Sequence, residues 1–219
     1  MLDTDTIMML VEGTRDTLYM TLMSTLFGYV LGLPMGIILT VTDKDGIRPN
    51  AAVYKVLDVI VNILRSVPFL ILLILVMPFT KAIVGKTYGS TATIVPLVIA
   101  AAPFIARMVE SSLKEVDPGV IEAAVSMGAG TGTAIWKVML AEARTSLLVG
   151  VTIAIGTILG YSAMAGTVGG GGLGDIAIQY GYYRYETEIM IVTVVVLVVL
   201  VQILQSIGMM VSRKLDKRK

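Results

Sequence analysis

The chain contains neither histidine nor cysteine. Disulfides, thiol nucleophiles, the usual zinc sites and imidazole acid–base catalysis are therefore excluded. A serine hydrolase working inside a bilayer would have to use a Ser–Lys pair, and no long apolar stretch of the chain holds a lysine. Gly169-x-Gly171-x-x-Gly174 matches the spacing of a dinucleotide-binding turn. That turn works only between a strand and a helix of a βαβ unit, and here it follows an apolar stretch, so it reads as a tight surface or re-entrant turn. Gly85-Lys86-Thr87 resembles the end of a phosphate-binding loop, but the position of its first glycine is Thr80. No nucleotide site, metal site or cofactor is expected, and a net charge of +1 gives no reason to expect nucleic acid as a partner.

Charge placed at membrane depth is rare and usually functional. Arg65 is the charge read at depth, and the apolar stretches are read as free of acids there, which argues against a proton relay or a carboxylate-lined cation path. Arg65 could face a water-filled path or snorkel to the interface. Asn62 and Ser66 are four apart and share a helix face near it, and Pro68 then interrupts the helix. Tyr161, Ser162 and Met164 lie among Gly156, Gly160, Ala163, Ala165 and Gly166. Small residues at this spacing allow close helix packing. Arg65, Ser66, Pro68, Tyr161, Ser162 and Met164 are the candidate lining of a translocation path. Tyr182, Tyr183 and Arg184 are a candidate outer docking surface, or interface anchors of the kind tyrosine commonly provides.

The elements that must hold these residues follow from hydropathy. The chain is 56% hydrophobic and 15% charged, with a mean hydropathy of +0.85. Ordinary soluble domains carry about 25% charged residues. A bilayer span needs about 20 mostly apolar residues. Five stretches qualify, near 17–41, 56–79, 90–108, 145–167 and 189–211. The fold class is an all-α integral membrane protein of five transmembrane helices in a single domain over 1–219. Residues 1–16 carry Asp3, Asp5, Glu12 and Asp16 against Arg15. They lack the basic region of a cleaved signal peptide, so the first span is expected to be retained.

Lysine and arginine set the orientation. Lys44, Arg48, Lys55, Arg107, Lys114, Lys137, Arg144, Arg213, Lys214, Lys217, Arg218 and Lys219 fall on one side. Arg15, Lys81, Lys86 and Arg184 fall on the other. The richer side is the cytoplasm, which puts the N-terminus outside and the C-terminus inside.

The moderately polar stretch between spans three and four lies on that inner side. Asp117 can cap a helix, and Pro118 suits its first position. Val120 to Val125 fill a short helix, and Met127 followed by Gly128, Gly130 and Gly132 can end it. Glu122, Ala123, Ala124 and Gly128 give a short surface helix with a smooth face, suited to docking in a groove on a partner.

The spacing Glu122-Ala123-Ala124, Gly128, Val138 and Leu140 resembles the EAA loop of ABC importer permeases, in which a helix docks on a cytoplasmic ATPase. A proline often follows the leucine in that family, and here the position is Ala141. The resemblance extends over Asn62-Ile-Leu-Arg-Ser-Val-Pro-Phe69, and over Gly166-Thr-Val-Gly-Gly-Gly-Gly-Leu-Gly-Asp175 continuing to Gly181-Tyr-Tyr-Arg184. It is to the methionine branch of the type I importers. It implies a homodimer in a bacterial inner membrane, two ABC ATPase subunits below it, and a substrate-binding lipoprotein delivering methionine from outside. It also implies that Asp117, Glu122, Ala123, Ala124 and Gly128 form the coupling helix, and that the permease itself is no enzyme. Another amino acid as substrate, and a stand-alone channel or secondary carrier, are the rival expectations.

Overall fold

The computed structural model describes residues 3–215; the tail cations Lys217, Arg218 and Lys219 used in the orientation argument lie outside the described residues. Every regular element among the described residues is helical. The first helix, α1, runs Thr4–Thr42 over 39 residues. Asp3 caps it, its Oδ1 accepting the Thr6 N–H at 2.8 Å. It starts well before the predicted span because its first turns have something to bury against: Leu10 packs with Leu173, Ile176 and Ile189. Of the acids in residues 1–16, Asp3, Asp5 and Glu12 are exposed and Asp16 is half-buried.

The second predicted span, 56–79, is not one rod. Asn50 caps α2 (Ala51–Ser66), which ends at Val67. Pro68 then starts α3 (Phe69–Leu75), and the two axes differ by 102°. Proline has no N–H to continue the ladder and restricts the residue before it. A further short helix, α4 (Met77–Val84), closes on Gly85 at φ 82°. Among the described residues four helices are long and apolar enough to cross a membrane, or five if the bent pair counts as one span. Within this region Asp58 corrects the sequence reading. It is an acid inside the second predicted span, where none was assigned, and it is half-buried against Arg107.

α5 (Ser90–Lys114) is the centre of the bundle, with Leu97, Ala101, Ala102, Ile105, Ala106, Val109 and Leu113 all buried. It runs six residues past the predicted end at 108, so Arg107, counted with the connecting cations in setting the orientation, lies about two turns inside the helix. α1 lies along it through Gly28, Gly32 and Gly36. A Cβ on Gly36 would fall 2.6 Å from the Ala106 carbonyl oxygen, and one on Gly32 would fall 2.7 Å from that of Ala102. Small residues at this four-residue spacing are what let two membrane helices approach to backbone contact.

After α5 come α6 (Pro118–Ser126) and a short helical run over 131–142 that is π-helical at Ala134–Met139. α7 (Arg144–Ala165) packs on α1 and α5. The glycine-rich stretch, the short α8 (Gly172–Ile176), a π-helical turn at Ala177–Tyr182 and the long α9 (Thr187–Leu215) complete the described residues. α9 lies against α7, where a Cβ on Gly208 would run into the side chain of Thr152. Its other faces leave Ile191, Val195, Val198, Ile203 and Ile207 exposed, a surface suited to lipid.

Candidate functional site

The short helix α6 stands at the end of the bundle where α1 and α5 finish. Asp117 Oδ1 accepts the Gly119 N–H at 2.8 Å, and Pro118 occupies the first turn. The far end is closed by Met127 N–H to Ala123 O at 3.0 Å and Gly128 N–H to Val125 O at 2.9 Å. Gly128 has φ 88° and open space around its Cα. It is required there for its backbone conformation and not for room.

α6 has an inner and an outer side. Ala124 is buried, and Ile121 packs on the main core beside Val116, Met139 and Ala143. Glu122 and Ala123 are exposed. The outward side is apolar: Val120, Val125 and Met127 are 43%, 45% and 82% exposed, and Trp136 on the neighbouring π-helical run is 67% exposed. Trp136 was missed by sequence reasoning; its signal was that it is the one tryptophan in the chain. Two depressions flank α6. One, of about 840 Å³, lies between it and the α1–α2 loop and is lined by Asp43, Ile47, Lys114, Ile121, Glu122 and Met139 among others. The other, of about 480 Å³, runs along Asp117, Val120, Ala123, Met127, Lys137 and Glu142. The chain turns out of the run at Ala143, after Ala141.

Above α6 an ion-pair chain joins three helices. Lys114 Nζ lies 2.6 Å from Asp43 Oδ2, at the end of α1, and 2.8 Å from Glu110 Oε1. Arg107 Nη1 lies 2.7 Å from Glu110 Oε2. Arg107 Nη2 donates to Asp58 Oδ1 and to Asn62 Oδ1 at 2.9 Å. The hydrogen bond from the Lys114 ammonium, against a smaller opposing effect of burial, holds the Asp43 carboxyl below the ordinary carboxylate range. Hydropathy cannot show this chain, because its members are scattered over residues 43–114.

Among the candidate path residues, the structure brings the break in the second span against α7. The Phe69 ring stacks on Tyr161 with centroids 4.6 Å apart and planes 4° from parallel. Pro68 caps α3 beside it. Arg65 is exposed, as is Ser66, whose hydroxyl donates to Asn62 O at 2.8 Å. Met164 is 47% exposed. Ser162 is different. It is buried and donates to Leu159 O at 2.7 Å within its own helix, so it does not line an open surface here.

At the opposite end, the glycine-rich stretch is a backbone turn with no strand before it. Gly169, Gly171 and Gly172 all have positive φ. The turn is pinned between helices: Gly89 N–H donates to Gly169 O at 2.8 Å, and Leu173 N–H to Thr17 Oγ1 at 2.9 Å. Burial pushes the Asp175 carboxyl up, only partly offset by a hydrogen bond from Gln179. Tyr182 and Tyr183 are exposed with their rings 5.3 Å apart, and the Arg184 guanidinium lies 4.3 Å over the Tyr180 ring. Among the described residues no cluster of acids could hold a metal ion.

Residues 32–218 match the family described as "binding-protein-dependent transport system inner membrane component". The chain belongs to this family. It is a multi-pass inner-membrane permease, and the ATPase of such a transporter is a separate polypeptide. It is 53% identical over 210 residues to the probable D-methionine transport system permease protein MetI of Vibrio cholerae, covering 96% of this chain and 93% of that relative. It is 46% identical over 207 residues to the methionine import system permease protein MetP of Bacillus subtilis, covering 94% of this chain and 93% of that relative. A subunit from a structure of inward-facing conformations of the MetNI methionine ABC transporter (CY5 native crystal form) superposes with a TM-score of 0.97 at 46% identity. That match covers 98% of this chain and 100% of that one.

Proposed function

We propose that this chain is the membrane-spanning subunit of an ATP-driven methionine importer, acting as a single transmembrane domain. The observation that carries the reading is α6: a helix capped at both ends, anchored inward by Ile121 and Ala124, that turns Val120, Val125 and Met127 outward beside Trp136. A folded chain gains nothing by exposing that set to water, and a groove on a partner would cover it. The relatives named for methionine, in the D form for one of them, supply the substrate.

Two copies form the path between them, and each α6 seats on one ABC ATPase subunit. A lipoprotein binds the substrate outside and docks near Tyr182, Tyr183 and Arg184. The end bearing α6 faces the cytoplasm, with the N-terminus outside. ATP binding draws the two ATPase subunits together, the α6 helices follow, and the path opens outward; hydrolysis resets it. The permease makes and breaks no bond. Its work is to shift a population between two arrangements of rigid helices. Asp117 and Gly128 keep α6 helical to its ends, and Glu122, Ala123 and Ala124 give it its fit. Arg65, Ser66, Pro68, Tyr161 and Met164 lie where the bent second span meets α7, and they line the path or its gate; Ser162 joins them only in an arrangement that uncovers it.

The test is reconstitution into vesicles with the ATPase and the binding protein. Labelled methionine accumulates only with ATP inside the compartment that α6 faces, and the ATPase co-purifies with the permease. Uptake that proceeds without the ATPase would favour a carrier and defeat the proposal. Glu122→Lys and a bulky replacement of Gly128 each uncouple hydrolysis from uptake; wild-type transport and ATPase stimulation in both would count against the docking role.

A further inference from the structure

The helix α2 is held in an unusual way. Of its sixteen residues only Val61 is buried, where it packs with Leu39 and Ala106. An apolar helix with so little buried surface has weak reason to stay where it is. Tyr54 and Leu57 add partly buried contacts to the same small cluster, and the polar attachments of α2 to α5 converge on one group. Arg107, with its side chain 19% exposed, donates to Asp58 and Asn62 of α2 and to Glu110 of its own helix. Tyr54, one turn earlier on α2, reaches Glu110 Oε1 at 3.5 Å. Glu110 is buried and in turn binds Lys114, which holds Asp43 at the end of α1. A guanidinium is suited to this: it is planar, permanently charged and offers several donors in a fixed fork.

The far end of α2 leads into the 102° break and so to Phe69, stacked on Tyr161 of α7. Whatever sets the angle of α2 therefore sets the position of that ring pair. We propose that Arg107 is a positioning residue. It is the hub of a latch that holds α2 against α5 in the arrangement seen here, and its bonds to Asp58 and Asn62 must open for α2 to move in the transport cycle. The latch closes well because three acids and an amide surround two cations. It can also open, because Asp58 and Asn62 are only partly covered and water can replace Arg107 as their partner. The inference rests on the ATP-driven alternation proposed above.

The chain has no cysteine, so Lys55→Cys on α2 and Ser111→Cys on α5 can carry a pair of spin labels in the full complex. Both positions are exposed. In the nucleotide-free wild type the dipolar coupling reports one close population; trapping with ATP weakens it. Arg107→Gln and Asp58→Asn each move the nucleotide-free population toward the ATP-trapped one. They also raise hydrolysis in the absence of binding protein at least about threefold, a coupling within the range mutations of such elements produce. The double variant is no worse than Arg107→Gln alone, because the bond that Asp58→Asn weakens is already lost there. Asn62→Ala, which keeps the ion pair, gives a smaller shift of the same sign, and it carries the test alone if the charge variants fail to assemble. The proposal is overturned if the labels report no change between nucleotide-free and trapped wild type. It is equally overturned if the variants leave the nucleotide-free population and the hydrolysis rate at wild-type values. Failure of the importer reading shows separately, as wild-type vesicles that do not take up methionine.

Discussion

The α1–α5 contact supports a quantitative prediction. In Gly36→Ala the new Cβ would stand 2.6 Å from the Ala106 carbonyl oxygen and 2.6 Å from Val109 Cβ. Carbon–oxygen approaches are ordinarily about 3.3–3.6 Å and carbon–carbon contacts about 3.5–4.0 Å, so α1 and α5 must part locally by roughly 0.7–1 Å. The obstructing atoms are a backbone carbonyl and a β-branched carbon, neither of which can swing away. Overpacking of this kind costs about 1–3 kcal/mol. The same substitution also gains about 0.5–1 kcal/mol, since alanine loses less backbone entropy than glycine in a helix. Gly160→Ala on α7 makes the identical chemical change where nothing lies within 4 Å. The propensity gain cancels between the two variants, and what remains is the clash. In a chain of 219 residues, about 1–3 kcal/mol corresponds to a melting difference of roughly 2–12 °C. Thermal denaturation of the purified permease in detergent, both variants side by side, reads it. If Gly36→Ala melts at or above Gly160→Ala, the backbone-to-backbone packing of α1 on α5 is wrong.

Other outcomes follow from the site. Met127 is 82% exposed; full burial of such a side chain contributes about 1.5–3 kcal/mol, so Met127→Ser should weaken ATPase association by roughly 10- to 150-fold. Anisotropy titration with labelled ATPase measures this, and the melting point of the isolated permease should not move. Because Lys114 lowers the Asp43 carboxyl below its unfolded value, the pair's contribution is present above about pH 4 and is lost as pH falls through the lower folded value. Asp43→Asn should therefore melt below wild type at pH 7, with the gap closing in melts at progressively more acid pH. Tyr185 sits at φ 59°, a conformation that costs a side-chain-bearing residue about 1–2 kcal/mol. Tyr185→Gly should raise the melting point by a few degrees and Tyr185→Val lower it.

The long apolar runs at 90–108, 145–167 and 189–211 were legible because hydropathy alone sets them, and the helices found there differ mainly by extending into polar turns. The short helix α6 was legible because its signals are local: Asp117-Pro118 at one end and Gly128 at the other. The parts that could not be read depend on tertiary partners. Residues 4–16 are helical because Leu10 and Gly13 find Leu173 and Ile176, which lie far along the chain. Pro68 announced an interruption, but nothing in the sequence says the chain turns by 102° there. Asp58 and Arg107 were passed over singly, one as part of a span and the other as a loop cation, and acquire meaning only as a pair. Ser162 shared its small-residue surroundings with Tyr161 and Met164. A run of small residues allows packing on several faces, so only the fold could show that Ser162 points into the core while Met164 points out.

The length of α1 carries a consequence of its own. Thirty-nine residues make a rod of roughly 58 Å at about 1.5 Å per residue, nearly twice the hydrocarbon thickness of about 30 Å. Its C-terminal tip is tied through Asp43 to Lys114, and its N-terminal turns are buttressed by Leu173 and Ile176. A swing of about 5° at one tip would carry the other by roughly 5 Å over that length. A single unbroken element thus reaches both aqueous compartments. News of an event on one face of the bilayer could arrive at the other as a mechanical displacement, without relay through any intermediate loop.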